Sequence, residues 1–297
     1  MKKFQGQTAF ITGAAAGIGQ ALARSLAREG CNLFLVDINA GGLQRLCNEL
    51  SARPIRIWTA TCDLTKPDSV QRMVSDALQK TGGIDLLINN AGVACYGATD
   101  QMTQPQWDWL MSINLLAPIQ ITQLLLPSLL LRDDPHIVNM CSISGLVAGG
   151  RFAAYHTSKY GLVGYTEALR AEYGRRGVGV TAICPGPVRT QLYDSAQSSK
   201  PGQKVPHPPA WLCATPEQVA EKTLKGIRRD SRQVLITPMA HLLFQLKRFA
   251  PGLIDFANRF SRRGRQKRLE AVAAARRGAS ITPVAEVPSS GERRAAG

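Results

Sequence analysis

The chain has 297 residues, 44% of them hydrophobic, which is enough to bury a full α/β core and leave a tail. Its formal charge of +15 resembles that of a nucleic-acid binder, but residues 247–297 hold 12 Lys/Arg against 4 Asp/Glu, so +8 of the excess lies in the tail and no nucleic-acid partner is expected. The seven cysteines are odd in number and form no C-x-x-C pair, which argues against a zinc knot, a disulfide framework or any metal site and suits buried thiols in a reducing, cytoplasmic setting.

Lys2-Lys3 and the apolar residues after them look superficially like a secretory leader, but Gln5, Gly6 and Gln7 interrupt the run. The stretch is better explained as a buried strand, Thr8 to Thr12, entering the glycine turn Thr12-Gly13-Ala14-Ala15-Ala16-Gly17-Ile18-Gly19. Such a turn brings backbone close to a pyrophosphate and aims the free amides of the next helix at its charge. Small residues also let any helix pack tightly on a sheet. Asn32 to Asp37 reads as the second strand, and Asp37 at its end lies about 20 residues beyond the turn, within reach of a ribose hydroxyl. Its carboxylate would repel a 2′-phosphate, and Ala16, Ile38 and Asn39 offer no positive charge, so NAD is expected in preference to NADP. Asp37 could equally cap the helix that follows.

The third strand, Ile55 to Cys62, ends at Asp63-Leu64, which could cover an adenine, although Asp63 could instead cap the helix near Pro67. Strands at Ile84 to Asn89, His136 to Ser142, Val178 to Cys184 and Gln233 to Thr237 complete seven, separated by helical patterns. That alternation predicts a Rossmann-type, doubly wound α/β sheet of mainly parallel strands with helices on both faces and a ligand at the strands' C-terminal ends. Residues 115–131 are the most apolar long segment, but Pro118, Gln120, Gln123 and Pro127 break them, and no membrane-spanning helix is expected.

Tyr155 and Lys159 stand one helical turn apart, thirteen residues after Ser142 at a strand end. A phenol of pKa about 10 is a poor base near neutrality, and a neighbouring ammonium would lower that value. Ser142 could orient a carbonyl or stabilise an alkoxide. Each residue alone has a commoner explanation; together with the glycine turn they point to hydride transfer. On these motifs the chain resembles the single-domain short-chain dehydrogenase/reductase family from about Thr8 to Pro238. Further matching motifs are Asn89-Asn90-Ala91-Gly92, Asn114, and Pro185-Gly186 with Thr190.

The resemblance implies that Tyr155 is the acid/base, Lys159 its modulator and ribose ligand, Ser142 the polariser of substrate oxygen and Asn114 the link of a proton relay. It implies cofactor contacts from Gly13, Ala15, Gly17, Ile18, Gly19, Asp37, Asp63, Leu64, Asn90, Ala91, Gly92, Pro185, Gly186, Val188 and Thr190. It also implies a homodimer or homotetramer packed through the helices near Gln104 to Leu131 and Ala154 to Arg175. Substrate would lie beneath a lid at 192–214, against Ser142, Val147, Phe152, Tyr155 and Leu192. The apolar set Leu192, Tyr193, Val205, Trp211 and Leu212, with Val93, Tyr96 and Leu146 nearby, favours a hydrophobic secondary alcohol or ketone. Other readings are an NADPH-dependent 3-oxoacyl reductase, which lacks its expected basic residue at Ala16 or Ile38, and a silent NAD-binding or membrane-associated scaffold.

A capping box at Thr215, Pro216 and Gln218 restarts helical order after the lid. Beyond the catalytic domain expected at 1–238, residues 239–277 are expected to form a basic, amphipathic helical extension, with apolar positions 239, 242, 243, 246 and 249 at helical spacing. It could cover the chain's own pocket, pack on a neighbouring subunit or lie on anionic lipid as a peripheral membrane contact. Residues 278–297 lack an apolar period and are expected to be disordered.

Overall fold

The computed structural model describes residues 1–200 and 205–260. Part of the lid, 201–204, the distal extension, 261–277, and the tail expected at 278–297 lie outside the described residues. The chain divides into two units, Met1–Gly252 and Leu253–Gly297.

In chain order the elements are β1 (Thr8–Thr12), α1 (Gly17–Arg28), β2 (Asn32–Asp37), α2 (Ala40–Leu50), β3 (Ile57–Thr61), α3 (Pro67–Thr81), β4 (Leu86–Asn89) and β5 (Cys95–Tyr96). There follow α4 (Gln104–Met111), a π-helical turn (Ser112–Leu116), α5 (Ala117–Leu129), β6 (His136–Met140), α6 (Ala153–Tyr173), β7 (Gly179–Cys184) and β8 (Gln197–Ser198). The described chain closes with α7 (Pro216–Arg228), β9 (Gln233–Leu235), α8 (Pro238–Phe249) and α9 (Pro251–Phe260). Seven strands form one parallel sheet in the order β3-β2-β1-β4-β6-β7-β9, so the strand order reverses between β1 and β4. A crevice opens at such a reversal.

The strands alternate their side chains between two cores. Ala9 and Ile11 of β1, Leu33 and Leu35 of β2, and Leu86 and Ile88 of β4 face α1, α2 and α7 through Leu22, Leu26, Leu43, Leu46, Leu224 and Ile227. Phe10, Phe34, Val36 and Leu87 point the other way, onto Val70, Val74, Ile121, Leu125, Leu129 and Leu169 of α3, α5 and α6. Phe10 and Phe34 stack across β1 and β2 with centroids 5.4 Å apart. Because both faces are covered, the strands read as nearly continuous apolar runs.

A buried polar ladder crosses the second core. Asn89 Nδ2 donates to Thr122 Oγ1 at 3.2 Å and to Asn139 Oδ1 at 2.9 Å, while Asn139 Nδ2 donates to Thr166 Oγ1 at 2.9 Å. It links α5, β4, β6 and α6.

The helical run Gln104–Leu129, 26 residues, is long and apolar enough to cross a membrane by length and composition, contrary to the expectation from its prolines. In the fold it is a core helix: Ile121, Leu125 and Leu129 are fully buried against the sheet. Pro118 lies just after the π-helical turn within this continuous run, where its missing amide removes one helical hydrogen bond. Cys31, Cys62, Cys95, Cys141 and Cys184 are buried free thiols, whereas Cys47 and Cys213 are partly exposed.

Candidate active site

At the end of β1 the chain turns sharply through Gly13, whose φ of +65° is left-handed and whose Cβ, if present, would come 2.8 Å from Ala91 Cα. Thr12 Oγ1 accepts from the amides of Asn90 and Ala91, both at 3.0 Å. Asn90 Nδ2 donates in return to the carbonyls of Thr12 at 2.9 Å and Gly13 at 3.1 Å. The run after β4 therefore fixes the first glycine turn. Ala16, which precedes α1, offers its first amides no side-chain cap, leaving them for an anion. Asp37 accepts from Ala15 N at 2.9 Å through Oδ2 and from Asn39 N at 3.0 Å through Oδ1.

From Asp37 a cavity of about 600 Å³ runs past Gly13, Ala15, Gly17, Ile18, Asn90, Ala91 and Gly92 to Ser142, Tyr155 and Lys159, with Pro185, Gly186, Val188 and Thr190 along one wall. Ser142 follows β6 and Tyr155 lies in the first turn of α6, and both line this cavity. Lys159, one turn on, is buried; its Nζ donates to Met140 O at 2.8 Å and stands 5.8 Å from the Tyr155 ring centre. Asn114 is fully buried in the π-helical turn, behind the cavity wall. A Cβ on Gly92 would lie 3.5 Å from both Asn114 Oδ1 and Lys159 Nζ, so this glycine is the spacer between them.

The profile of the family described as short chain dehydrogenase matches residues 7–201. The chain belongs to this family. It is an oxidoreductase of CH–OH groups that uses NAD(P). Oxidoreductase UcpA of Escherichia coli (strain K12) is 40% identical over 203 residues, covering 68% of this chain and 77% of that protein. Among solved structures, a short chain dehydrogenase/reductase from Burkholderia phymatum in complex with NAD superposes with a TM-score of 0.78 at 26% identity, covering 85% of this chain and 96% of that one. A metagenomic short-chain oxidoreductase in complex with NADP gives a TM-score of 0.66 at 28% identity, covering 78% and 97%. The open cradle around Gly13 and Gly17, bounded by Asp37, fits the dinucleotide such enzymes use.

Burial comes first and raises the Tyr155 phenol above its usual value, the neighbouring Ser142 hydroxyl opposes that rise, and nearby Tyr193 and Cys141 add to it. Lys159 Nζ is directed at the Met140 carbonyl, beside the Tyr155 ring. Burial also lowers Lys159 itself, against the pull of Cys141 and Cys184.

Of the substrate residues expected, Phe152 and Leu192 line the cavity with Ser142 and Tyr155, whereas Val147 does not. Asp63 and Leu64 are also off its lining: Asp63 Oδ1 accepts from Thr65 N at 2.9 Å and Thr65 Oγ1 at 2.7 Å as a turn cap, and Leu64 packs on the second core. Gly19 is buried at the start of α1, where a Cβ would meet Gly13 O at 2.0 Å. Ala94, Ile143, Tyr193 and Met239 add apolar wall. Met239 reaches the wall from the first turn of α8, a placement set by the tertiary fold and not by local sequence pattern. Trp211 is 81% exposed and contributes nothing to the wall. A larger cavity of about 830 Å³ borders Ala15–Gly17 and is lined by Arg24, Arg45 and Arg189, away from Ser142 and Tyr155. Among the described residues no group of His, Cys, Asp and Glu gathers that could hold a metal.

The lid is fastened by a two-residue parallel ribbon of β5 and β8 that the sequence pattern did not reveal. Gln197 N donates to Ala94 O and Ser199 N to Tyr96 O, each at 3.0 Å. Beneath it Tyr96 packs on Phe152, centroids 5.0 Å apart, and Phe152 on Tyr155 at 6.4 Å.

Proposed function

We propose that this enzyme prefers NAD and interconverts a hydrophobic secondary alcohol and its ketone, with Tyr155 moving the hydroxyl proton. The observation that carries this is that Ser142, Tyr155 and Lys159 share one cavity with Asp37 and the glycine turn. When bound, the nicotinamide supplies the hydride donor or acceptor. Ser142 orients the substrate oxygen toward the phenol, and Asn114 supports the Lys159 side of the site as part of a proton relay. Ala94, Ile143, Phe152, Leu192 and Met239 exclude water and favour apolar substrate. A phenol kept protonated by burial is ready to donate to a carbonyl, so ketone reduction needs no prior ionisation near neutral pH. Asp37 favours a free 2′-hydroxyl over a phosphate. The test is a panel of hydrophobic secondary alcohols with NAD and separately NADP, following absorbance of the reduced nicotinamide. Turnover with NAD and apolar alcohols is expected; a clear preference for NADP or for charged substrates would overturn this assignment.

For partners, the reading extends to a homodimer or homotetramer through the Gln104–Leu131 and Ala154–Arg175 helices, where Leu116 and Leu131 are exposed. Light scattering on purified protein tests it, and a monomer would contradict it. The enzyme would be cytoplasmic, with α8 as a peripheral contact to anionic lipid. Ala240 is buried in α8, Leu242 and Phe249 are exposed, and a cation-rich sequence follows. Flotation with anionic vesicles is expected for the full chain and reduced for Leu242→Asp with Phe249→Asp; wild-type protein remaining at the bottom would end the proposal.

A further inference from the structure

The loop that begins at Ser142 is gripped by two helices through side chains outside the reacting set. His156 follows Tyr155 directly on α6 and reaches back to two points of that loop. Its Nδ1 lies 2.8 Å from Ser144 O, and its Nε2 accepts from Gly149 N at 3.0 Å. A carbonyl only accepts and an amide N–H only donates, so the ring is neutral with its proton on Nδ1. From α8, Lys247 Nζ donates to Leu146 O at 2.7 Å and pairs with the Tyr160 hydroxyl, standing 4.6 Å from the Tyr160 ring centre. Between these attachments Gly145 lies flat on α6, where a Cβ would come 2.5 Å from the Lys159 carbonyl.

The geometry points to His156 and Lys247 as positioning residues that hold the Ser142 hydroxyl in place against the Tyr155 phenol and make α8 a working part of the site. The path is short. Ser142 Oγ accepts from Ser144 N at 3.0 Å, and the carbonyl of the same Ser144 is the one His156 holds. A slip of the loop therefore moves the reacting hydroxyl within two residues. Burial and the nearby Lys247 ammonium both lower the proton affinity of His156, opposed by its bond to Ser144, which preserves the neutral ring that the Gly149 bond needs.

This inference rests on the proposed activity, and its test separates the two. With full-length enzyme, NAD and the best alcohol of the panel, His156→Leu and Lys247→Met are each expected to lower kcat by about tenfold or more while the KM for NAD stays within about twofold. His156→Gln, which keeps one donor and one acceptor, is expected to regain most of the lost kcat. Hydrogen exchange supplies a second readout: the Gly149 amide is protected in wild type and loses protection in His156→Leu. Unchanged kcat in both variants, an equal loss of NAD affinity, or failure of the glutamine variant to rescue would overturn the inference. If no alcohol in the panel is turned over by wild type, the proposed activity fails, and the Gly149 amide still decides whether His156 holds the loop.

Discussion

Asn114 returns both ends of its amide to Val93: Oδ1 accepts from Val93 N at 2.8 Å and Nδ2 donates to Val93 O at 2.9 Å. The same Nδ2 reaches Ser158 Oγ at 3.2 Å, so one side chain ties the segment after β4 to α6 just before Lys159. Asn114→Leu leaves two backbone groups and a hydroxyl without this partner. At about 1–3 kcal/mol for an unsatisfied buried group, a loss of about 2–4 kcal/mol is expected, with lower turnover, read from urea unfolding and steady-state rates.

Tyr155→Phe is expected to retain NAD binding and lose turnover by about 10²-fold or more in both directions. In wild type the two directions respond oppositely to pH. Oxidation needs the phenolate, and because burial raises the phenol above its ordinary value of 10, the phenolate fraction climbs about tenfold per unit between pH 7 and 9. Reduction uses the phenol and stays flat over that range. A flat oxidation profile would remove Tyr155 from its assigned role.

Asp37 holds the amides of Ala15 and Asn39 while facing the cavity, so its replacement acts on cofactor choice and on the turn together. Serine keeps an acceptor for the turn. Asp37→Ser combined with Ile38→Arg is expected to lower kcat/KM for NAD by about tenfold and raise that for NADP by a similar factor, since a hydrogen bond to a charged group is worth about 1.5–3 kcal/mol. Rates with both cofactors over a concentration series decide it.

His136 sits at the start of β6 with no exposure, bonded through Nε2 to Thr181 Oγ1 at 2.9 Å, and burial pushes its pKa down to about 3. The unfolded chain takes up a proton near pH 6.5 that the native chain refuses. Stability is therefore full above about 6.5 and falls as pH drops toward 3, at about 1.4 kcal/mol per unit from this group. His156, also lowered, acts in the same sense. Urea midpoints at pH 7, 6 and 5 are expected to decline in wild type and to flatten in His136→Gln; equal slopes would contradict the assignment.

The seven main strands, the glycine turn and the Ser142, Tyr155 and Lys159 set were legible because each repeats a short rule of spacing or periodicity. Boundaries were less so. Ile55 and Arg56 belong to a turn before β3, where Ile55 N bonds Arg53 O and Arg56 N bonds the Asn32 side chain, an environment that apolar pattern does not encode. The ribbon of β5 and β8 is two residues per strand, too short to carry a period. The π-helical turn that lodges Asn114 was hidden because local propensities do not distinguish it from ordinary helix. Lys247 read as one more cation of a basic extension, and its contact with Leu146 depends on where α8 folds back.

The chain of amides and hydroxyls from Thr122 through Asn89 and Asn139 to Thr166 has a mechanical consequence. Helix α6, which presents Tyr155 and Lys159, and α5, which continues from the turn holding Asn114, are riveted to the same pair of strands, so neither can slide along the sheet without stretching the other's fastening. A swap of one hydroxyl on α5, remote from any ligand, would thus be felt as looseness in the helix that presents Tyr155.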